Sequence, residues 1–137
     1  MPLESRTSRY FKDLSLSFVK NPATDDLTTL TNERAITRSI RNLVTTIRGE
    51  RFFEPDIGCD VNRLLFENYL NENSIKVMET EIRNTILRYE PRVDLEPDAV
   101  QVSPDDEGNA IAIKIKFSIV GLEAEQQVLE FVFQPLR

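Results

Sequence analysis

The sequence predicts an α+β domain, in which two long helices and a short one pack on a small antiparallel sheet with a C-terminal hairpin. Apolar residues recur at helical spacing before Pro91 and alternate with polar residues after it. A proline at the end of a long helical segment is a common stop signal. Helices followed by strands are typical of a two-layer α+β arrangement.

Residues 1–30 are interpreted as an N-terminal arm and residues 31–137 as one α+β domain. The arm is rich in Ser, Thr, Asp and Asn. Its short alternating piece, Leu14 to Val19, predicts one edge strand. Pro22, within the polar run from Asn21 to Asp26, predicts a turn before the first helix. A chain of 137 residues has room for a single core.

The first helix is predicted to start near Asn32 and to be ended by Gly49. Its core face consists of apolar residues within one half of a helical wheel: Ala35, Ile36, Ile40, Leu43, Val44 and Ile47. The opposite half carries Arg34, Arg38, Arg41 and Arg48. Such a stripe is usually a solvated face. The functional alternative is a docking surface for an acidic partner, or contacts to phosphate.

The segment between the helices, residues 50–60, contains few helix-forming residues. Pro55 and Gly58 punctuate this segment and predict an ordered loop. A short amphipathic turn from Val61 to Phe66 is expected to follow the loop.

The second long helix carries apolar residues at spacings of three and four between Ile75 and Tyr89. Asn73 or Ser74 is expected to cap its start, because both side chains accept hydrogen bonds from a helix N-terminus. Glu79 and Arg83 are expected to pair on its surface.

Strands are predicted after Pro91. Residues 93–95 and 100–102 predict two short strands, and residues 104–109 predict a turn. Residues 111–119 alternate without a break, which predicts a strand of about 30 Å at roughly 3.3 Å per residue. The last strand is expected from Val128 to Phe133.

The residue inventory excludes most catalytic chemistry. The chain has no histidine and one cysteine, Cys59, so no Ser-His-Asp site, Cys-His site or thiolate zinc site can form within it. Its four glycines, at positions 49, 58, 108 and 121, match no phosphate-binding loop. We therefore expect no catalytic residue, no metal and no cofactor. The oxygen-bearing residues Asp105, Asp106, Glu107 and Asn109 are interpreted as a solvated turn, with calcium binding as the alternative.

One enzymatic alternative remains, because glycoside cleavage requires only two carboxyl groups. The candidate acids are Glu90, Glu54 and Glu67, and their candidate partners are Asp56, Asp60 and Asp94. The chain has no tryptophan and only three tyrosines, which leaves few rings to bind a sugar. A lysozyme-like activity is therefore the minor hypothesis.

The balance of basic and acidic residues limits the kinds of binding partner that the chain can have. With 17 basic and 23 acidic residues the net charge is −6, so no nucleic acid or membrane is expected as a partner. We also expect no small-molecule substrate, in line with the expected absence of a catalytic site. Residues 1–53 carry 9 basic and 6 acidic side chains, whereas residues 54–137 carry 8 and 17. A single cysteine and the lack of an apolar leader favour a soluble protein that folds in a reducing cytoplasm.

The loop and the end of the second helix carry a family resemblance. Residues 51–60 read Arg-Phe-Phe-Glu-Pro-Asp-Ile-Gly-Cys-Asp, residues 65–68 read Leu-Phe-Glu-Asn, and residues 89–93 read Tyr-Glu-Pro-Arg-Val. Together they resemble the small baseplate wedge family of contractile phage tails, historically labelled lysozyme-like and similar to a baseplate subunit of type VI secretion machines. Two departures affect the loop: Phe52 stands where many relatives have proline, and Ile57 replaces an aromatic residue.

The resemblance implies a structural, non-catalytic subunit of the virion, located in the tail baseplate and assembled in the host cytoplasm. Its implied partners are the helical core bundle of the wedge and the tail sheath subunit, whose polymerisation it starts by strand addition. The partner-binding residues expected from the resemblance and the residues together are Glu90, Pro91, Arg92, Arg51, Phe53, Pro55, Gly58, Lys114 and Lys116. Two alternatives stay open: an equivalent subunit of a type VI secretion or extracellular injection machine, and an adaptor unrelated to tails.

Two of these assignments have structural alternatives. Glu90 would merely end the helix if it paired internally with Arg92 or Arg51. Lys114 and Lys116 would serve only to keep a sheet edge from aggregating, since lysines on edge strands have that effect.

Overall fold

A computed structural model describes residues 12–14, 19–20, 22–23, 25–26, 29–31, 33–67, 71–105, 110–121 and 126–134. The helices are α1 (Glu33–Thr45), α2 (Val61–Glu67) and α3 (Glu72–Tyr89). The strands are β1 (Lys12–Leu14), β2 (Thr29–Thr31), β3 (Val93–Asp94), β4 (Val100–Pro104), β5 (Ile111–Ile119) and β6 (Gln127–Phe133). Two long helices, a short one and an antiparallel sheet confirm the predicted α+β class.

β5 lies in the middle of the main sheet. Its residue Ile115 is opposite Val100 of β4 and opposite Leu129 of β6, so β4 and β6 flank it on opposite sides. All the pairings are antiparallel. The amides of Lys116 and Val120 both point to the β4 side and donate to residues 99 and 92. The short strand β3 therefore continues the line of β4 along the same side of β5.

The core lies between one face of this sheet and the helices. Every second residue of β5 is buried, as the alternating pattern predicted. The helices contribute their apolar stripes, and the largest fully buried side chains are Phe117, Ile36, Ile40, Met78, Ile82, Ile86, Ile111, Ile113 and Ile115. Burying one such isoleucine contributes about 1.5–3 kcal/mol relative to exposing it. α3 packs over β4, and α1 packs beside α3.

α1 ends four residues before Gly49, the expected stop. The helix closes at Thr45, and Ile47 then forms a parallel bridge with Cys59. Arg48 consequently lies outside the helix and is not part of the arginine stripe. Its guanidinium pairs with Asp60 at 3.0 Å and with Glu81 at 2.9 Å. The stripe on α1 therefore contains three arginines rather than four.

The predicted cap of α3 was also wrong. Asn71 is the N-cap, and its side chain accepts from the amide of Ser74 at 2.8 Å. Ser74 accepts in return from the amide of Asn71 at 3.0 Å, which completes a capping box. Pro91 follows the C-cap residue Glu90, as expected for a helix that stops before a proline.

The N-terminal strand, predicted from Leu14 to Val19, is described only at its two ends, where Leu14 lies in β1 and Val19 lies in no strand. β1 covers Lys12–Leu14 and pairs with β2, whereas residues 15–18 of the predicted strand lie outside the described residues. Residues 106–109 of the predicted turn, with most of the candidate calcium ligands, also lie outside them. The hairpin around that turn is closed by the Asp105 amide, which donates to the Ala110 carbonyl at 2.9 Å.

Candidate functional site

One edge of the sheet, the outer edge of β6, is paired with no strand in the described part of the chain, and we call it the open edge. The amide of Lys116 points to β4, so the odd-numbered residues of β5 direct their backbone groups toward β6. The even-numbered residues of β6, namely Val128, Glu130 and Val132, then direct their N–H and C=O groups away from the sheet. No other strand among the described residues pairs with them. Their side chains lie on the sheet face opposite the core, which we call the uncovered face because no described helix packs on it. Val128 and Val132 are exposed there.

The outer edge of β4, which we call the closed edge, is blocked at two of its three outward positions. The outward amide of Val102 donates to Oε1 of Glu79 on α3 at 3.0 Å. Pro104, the next outward residue, has no amide hydrogen. Glu79 was expected to pair with Arg83 on the helix surface, and that expectation was wrong. Nε of Arg83 is buried and has no hydrogen-bond partner in the described part of the chain.

Lys114 and Lys116 lie in the central strand, with their side chains on the uncovered face of the sheet. They stand opposite Glu130 and Val128 of β6 and are half-buried. Because β5 has neighbours on both sides, neither lysine guards an edge, and the interpretation that they prevent edge aggregation was wrong. Their role in partner binding stays a prediction.

A groove runs between α1 and β6 beside the open edge. It encloses about 580 Å³ and is lined mainly by Glu33, Arg34, Thr37, Arg38, Arg41 and Leu129. The guanidinium of Arg41 lies 5.6 Å from the ring centre of Phe131, a cation–π contact that holds α1 over β6. Spacings of four and three residues place the three arginines on one side of α1, toward the groove.

The loop between α1 and α2 is closed by backbone hydrogen bonds. The Cys59 amide donates to the Thr46 carbonyl at 2.9 Å, and the Gly49 amide donates to the Pro55 carbonyl at 2.8 Å. Gly58 has a φ of 141°, and a Cβ there would lie 2.7 Å from the Thr46 oxygen. Only glycine fits where these two backbone segments meet. Gly58 therefore shapes the loop.

The tip of this loop presents two aromatic rings to solvent. Phe52 is 99% exposed and Phe53 is 88% exposed, with Arg51 also exposed beside them. The Tyr89 hydroxyl donates to the Asp56 carbonyl at 2.9 Å and ties the loop to the end of α3. Sequence reasoning named Phe53 but treated Phe52 only as a departure from relatives. The signal was available, since adjacent aromatic residues stood in a segment without helical or strand periodicity.

The Glu-Pro-Arg corner at the end of α3 is built around a buried carboxylate. Glu90 is 3% exposed and accepts from Nε of Arg92 at 2.5 Å and from Nη2 at 2.7 Å. The hydroxyl of Ser39 on α1 donates to the same carboxylate at 2.5 Å. Burial alone would raise the pKa of Glu90, but the hydrogen bonds from Arg92 and Ser39 outweigh it, and the pKa is lowered.

Glu90 pairs internally with Arg92, as the alternative to partner binding had suggested. Pro91 is exposed at the corner, and the side chain of Arg92 is 29% exposed. The corner therefore offers a rigid backbone turn and one edge of a guanidinium, while Glu90 supports them from beneath. Through Tyr89, the residue before Glu90, the loop is fixed to the end of α3 that carries the corner.

A lowered pKa is the opposite of what a glycosidase acid requires, since that acid must keep its proton near neutral pH. Glu54 and Asp56 are exposed on the loop, and Asp94 is exposed on β3. The side chain of Glu67 lies outside the described residues. The described residues contain no cluster of three side chains suited to a metal ion, and no described helix has the length and apolar character of a membrane span.

The sequence profile of the family described as Baseplate wedge protein gp25 matches residues 31–123. The chain belongs to this family. The matched residues include α1, the closed loop, α3 and most of the sheet. The corner and the loop tip therefore both lie inside the gp25 family region, whereas β6 lies beyond it.

Similar proteins come from several contractile machines. The chain is 34% identical over 87 residues to Baseplate wedge protein gp25 of Enterobacteria phage T4, and the match spans 64% of each protein. A structure described as a putative tail lysozyme from Geobacter sulfurreducens has a TM-score of 0.67 at 27% identity, covering 77% of this chain and 92% of that one. The anti-feeding prophage baseplate shares the fold, with a TM-score of 0.61 at 22% identity and coverage of 93% and 88%. Family membership confirms the resemblance found in the sequence.

Proposed function

We propose that this chain is a non-catalytic wedge subunit of a contractile phage tail baseplate that starts sheath assembly by accepting a strand from a tail sheath subunit. The strand adds to the open edge of β6. The loop tip and the Glu-Pro-Arg corner bind the helical core bundle of the wedge. A phage tail is favoured over a secretion or injection machine because the 34% identical relative is a phage protein.

The observation that carries the proposal is the difference between the two sheet edges. An unpaired edge is a template for another strand, and proteins normally block it. This chain blocks β4 with Glu79 and Pro104, whereas no described strand pairs with the outward backbone groups of Val128, Glu130 and Val132. Backbone pairing would supply the affinity of strand addition, and the side chains of the added strand would supply specificity.

The test of strand addition is a proline at an outward position of β6. Glu130→Pro removes an amide that no described residue uses and places a ring where an incoming strand must lie. We expect the folded variant to join the wedge yet to start no sheath polymerisation when purified baseplates are mixed with sheath subunits and imaged by electron microscopy.

Glu130→Ala is the matched control, because it removes the same side chain and keeps the backbone amide. Sheath assembly on the alanine variant should proceed at the normal rate. Normal assembly on a folded Glu130→Pro variant would rule out pairing at this edge.

Docking through the loop tip is supported by the exposed rings of Phe52 and Phe53 on a closed backbone. Burying one phenylalanine at an interface contributes about 1.5–3 kcal/mol, so two adjacent rings are candidate anchors. The tip also carries Glu50, Glu54 and Asp56 against a single Arg51. That balance favours an apolar pocket with a basic rim on the wedge partner.

The corresponding test is the double variant Phe52→Ser/Phe53→Ser. Because both rings are exposed, we expect the thermal unfolding temperature to stay the same while capture of wedge partners in a pull-down falls at least about tenfold. Val77→Ser, at an exposed apolar position on α3, is the control. Undiminished capture by the double variant would remove the loop tip from the interface. Arg92→Ala is a poorer test, because it would leave Glu90 buried without its partner.

The absence of catalysis is supported by the state of Glu90, the most buried of the candidate acids. Its carboxylate is committed to Arg92 and Ser39, and its pKa is lowered. We expect no turnover of peptidoglycan by the purified chain. Turnover that a single Glu90→Gln substitution abolishes would show that the chain is a hydrolase.

A further inference from the structure

We infer that the open edge of β6 selects a strand that carries acidic side chains at alternate positions, which Arg34, Arg38 and Arg41 of α1 contact. The inference rests on the proposed strand addition and names the chemistry of the strand. Three features of the molecule support it: the position of the groove, the unbalanced charge within it, and the cost of filling it with a second copy of this chain.

The groove lies on the path of any added strand. It is bounded by α1 on one side and by Gln127 and Leu129 of β6 on the other. A strand paired with β6 alternates its side chains between the two faces of the sheet. One set must therefore point into the helix layer, and among the described residues the part of that layer that lines the groove is the arginine side of α1.

The charge in the groove is unbalanced. Arg34, Arg38 and Arg41 face a single acidic lining residue, Glu33. Among the described residues no carboxylate forms an ion pair with any of the three arginines, in contrast to Arg48, which pairs with two. Like charges three and four residues apart on a helix repel one another. Carboxylates of an incoming strand would relieve this repulsion, and a guanidinium matches a carboxylate with two parallel hydrogen bonds.

The same arginines disfavour a second copy of this chain as the occupant. If two β6 edges paired about a twofold axis, the residues pointing into the helix layer would be Leu129 and Phe131 from each copy, with no acid among them. The two α1 helices would then approach with their arginine stripes facing each other. The groove therefore admits a foreign acidic strand and resists self-pairing, a form of specificity that depends on repulsion as well as attraction.

The opposite set of side chains on the added strand extends the uncovered face of the sheet. Its neighbours on β6 there are Val128, Glu130 and Val132, and the two valines are 54% and 62% exposed. Apolar or β-branched side chains pair well with valine across strands. The expected strand therefore alternates acidic residues toward α1 with apolar residues toward the uncovered face.

The test uses the whole chain and two short synthetic peptides, one alternating glutamate with valine and the other alternating lysine with valine. Affinities are measured by fluorescence anisotropy at low salt, and binding at β6 is identified by hydrogen-exchange protection of the amides of Val128, Glu130 and Val132. We expect the glutamate peptide to bind at least about tenfold more tightly than the lysine peptide. The double variant Arg34→Gln/Arg38→Gln should lose most of that preference.

Arg41 is kept in the double variant because it stacks on Phe131. Lys76→Gln is the matched control, since Lys76 lines the groove beside the closed β4 edge and its loss should leave the preference unchanged. Equal affinities for the two peptides, with β6 amides protected by both, would overturn the acid preference and leave strand addition intact. Protection of β6 by neither peptide would overturn both proposals.

Discussion

The two edges of the main sheet have the same strand direction and the same central neighbour, β5, yet they are treated differently. At β4 a carboxylate from α3 accepts the outward amide of Val102, and Pro104 removes the next one. At β6 the outward backbone groups of three residues meet no strand in the described part of the chain. Within the described residues, the fold therefore closes the β4 edge and not the β6 edge.

The helix over each edge accounts for the difference. α3 places Glu79, a hydrogen-bond acceptor, over the β4 edge, and an acceptor can satisfy an amide. α1 places arginines over the β6 edge, and a guanidinium has donors but no acceptor. These arginines therefore cannot accept hydrogen bonds from the outward amides of β6. They add positive charge beside the edge without occupying it.

The largest expected loss of stability follows from substituting Glu90, which supports the β3 and β4 side of the sheet. This residue holds Arg92, whose carbonyl accepts the amide of Val120 and fixes β3 to β5. Glu90→Gln should lower the free energy of unfolding by about 2–3 kcal/mol at pH 7, because a buried charged pair with a bound serine loses one member. Urea unfolding measures this loss.

The stability difference between wild type and Glu90→Gln should also depend on pH. The folded-state pKa of Glu90 lies below its ordinary value of 4.5, so its contribution is complete above that value and is lost as the pH falls through the folded-state pKa. The stability gap between wild type and Glu90→Gln should accordingly narrow below about pH 4. A gap that stays constant down to pH 2 would mean that folding does not lower the pKa of Glu90.

A smaller effect is expected from opening the β4 edge at Glu79. Glu79→Ala leaves the Val102 amide without its acceptor and should cost about 1–2 kcal/mol in urea unfolding. Glu79→Gln, which keeps an oxygen at the same place, should cost less than half as much. If both variants lost the same stability, the charge of Glu79 rather than its hydrogen bond would protect the edge.

The smallest effect on stability is expected for Pro104→Thr, about 0.5 kcal/mol or less in either direction, because the new amide points to solvent. Its consequence should appear in self-association, since a second edge gains a donor. Light scattering at high protein concentration should detect dimers of Pro104→Thr but not of wild type. Monomers in both would indicate that Glu79 alone is enough to close β4.

The periodicity of apolar residues predicted the helices and strands better than it predicted which of them lie side by side. The alternation from Ile111 to Ile119 marks β5 correctly, because one buried face imposes a period of two. Pairing order leaves no such trace in a sequence. Lys114 and Lys116 therefore looked like guards of an edge, although β5 is central. Glu79 looked like a helix-surface partner of Arg83, although its partner is a backbone amide 23 residues away.

The sequence predicted the role of a site residue when only one residue type could fill that role. It did not predict the role when the same side chain could bind several kinds of partner. Gly58 was named from the sequence, and its φ of 141° explains the need for glycine. Glu90 and Arg92 were located correctly, but an arginine fork serves an internal carboxylate as well as an external one. Asn71, Asn73 and Ser74 all have capping side chains, and α3 starts at Asn71, where Ser74 three residues later completes a capping box.

The central position of β5 has a consequence for how the chain acquires its structure. α1 and α3 precede β5 along the sequence, so on the ribosome the apolar stripes containing Ile40 and Ile82 emerge long before the strand that covers them. Contacts between segments so far apart in the sequence are slow to form, and apolar surfaces that are prone to aggregation stay exposed until they do. Chains arrested before Ile111 should accordingly be retained by chaperones, and release should coincide with the emergence of β5 and its partner β6.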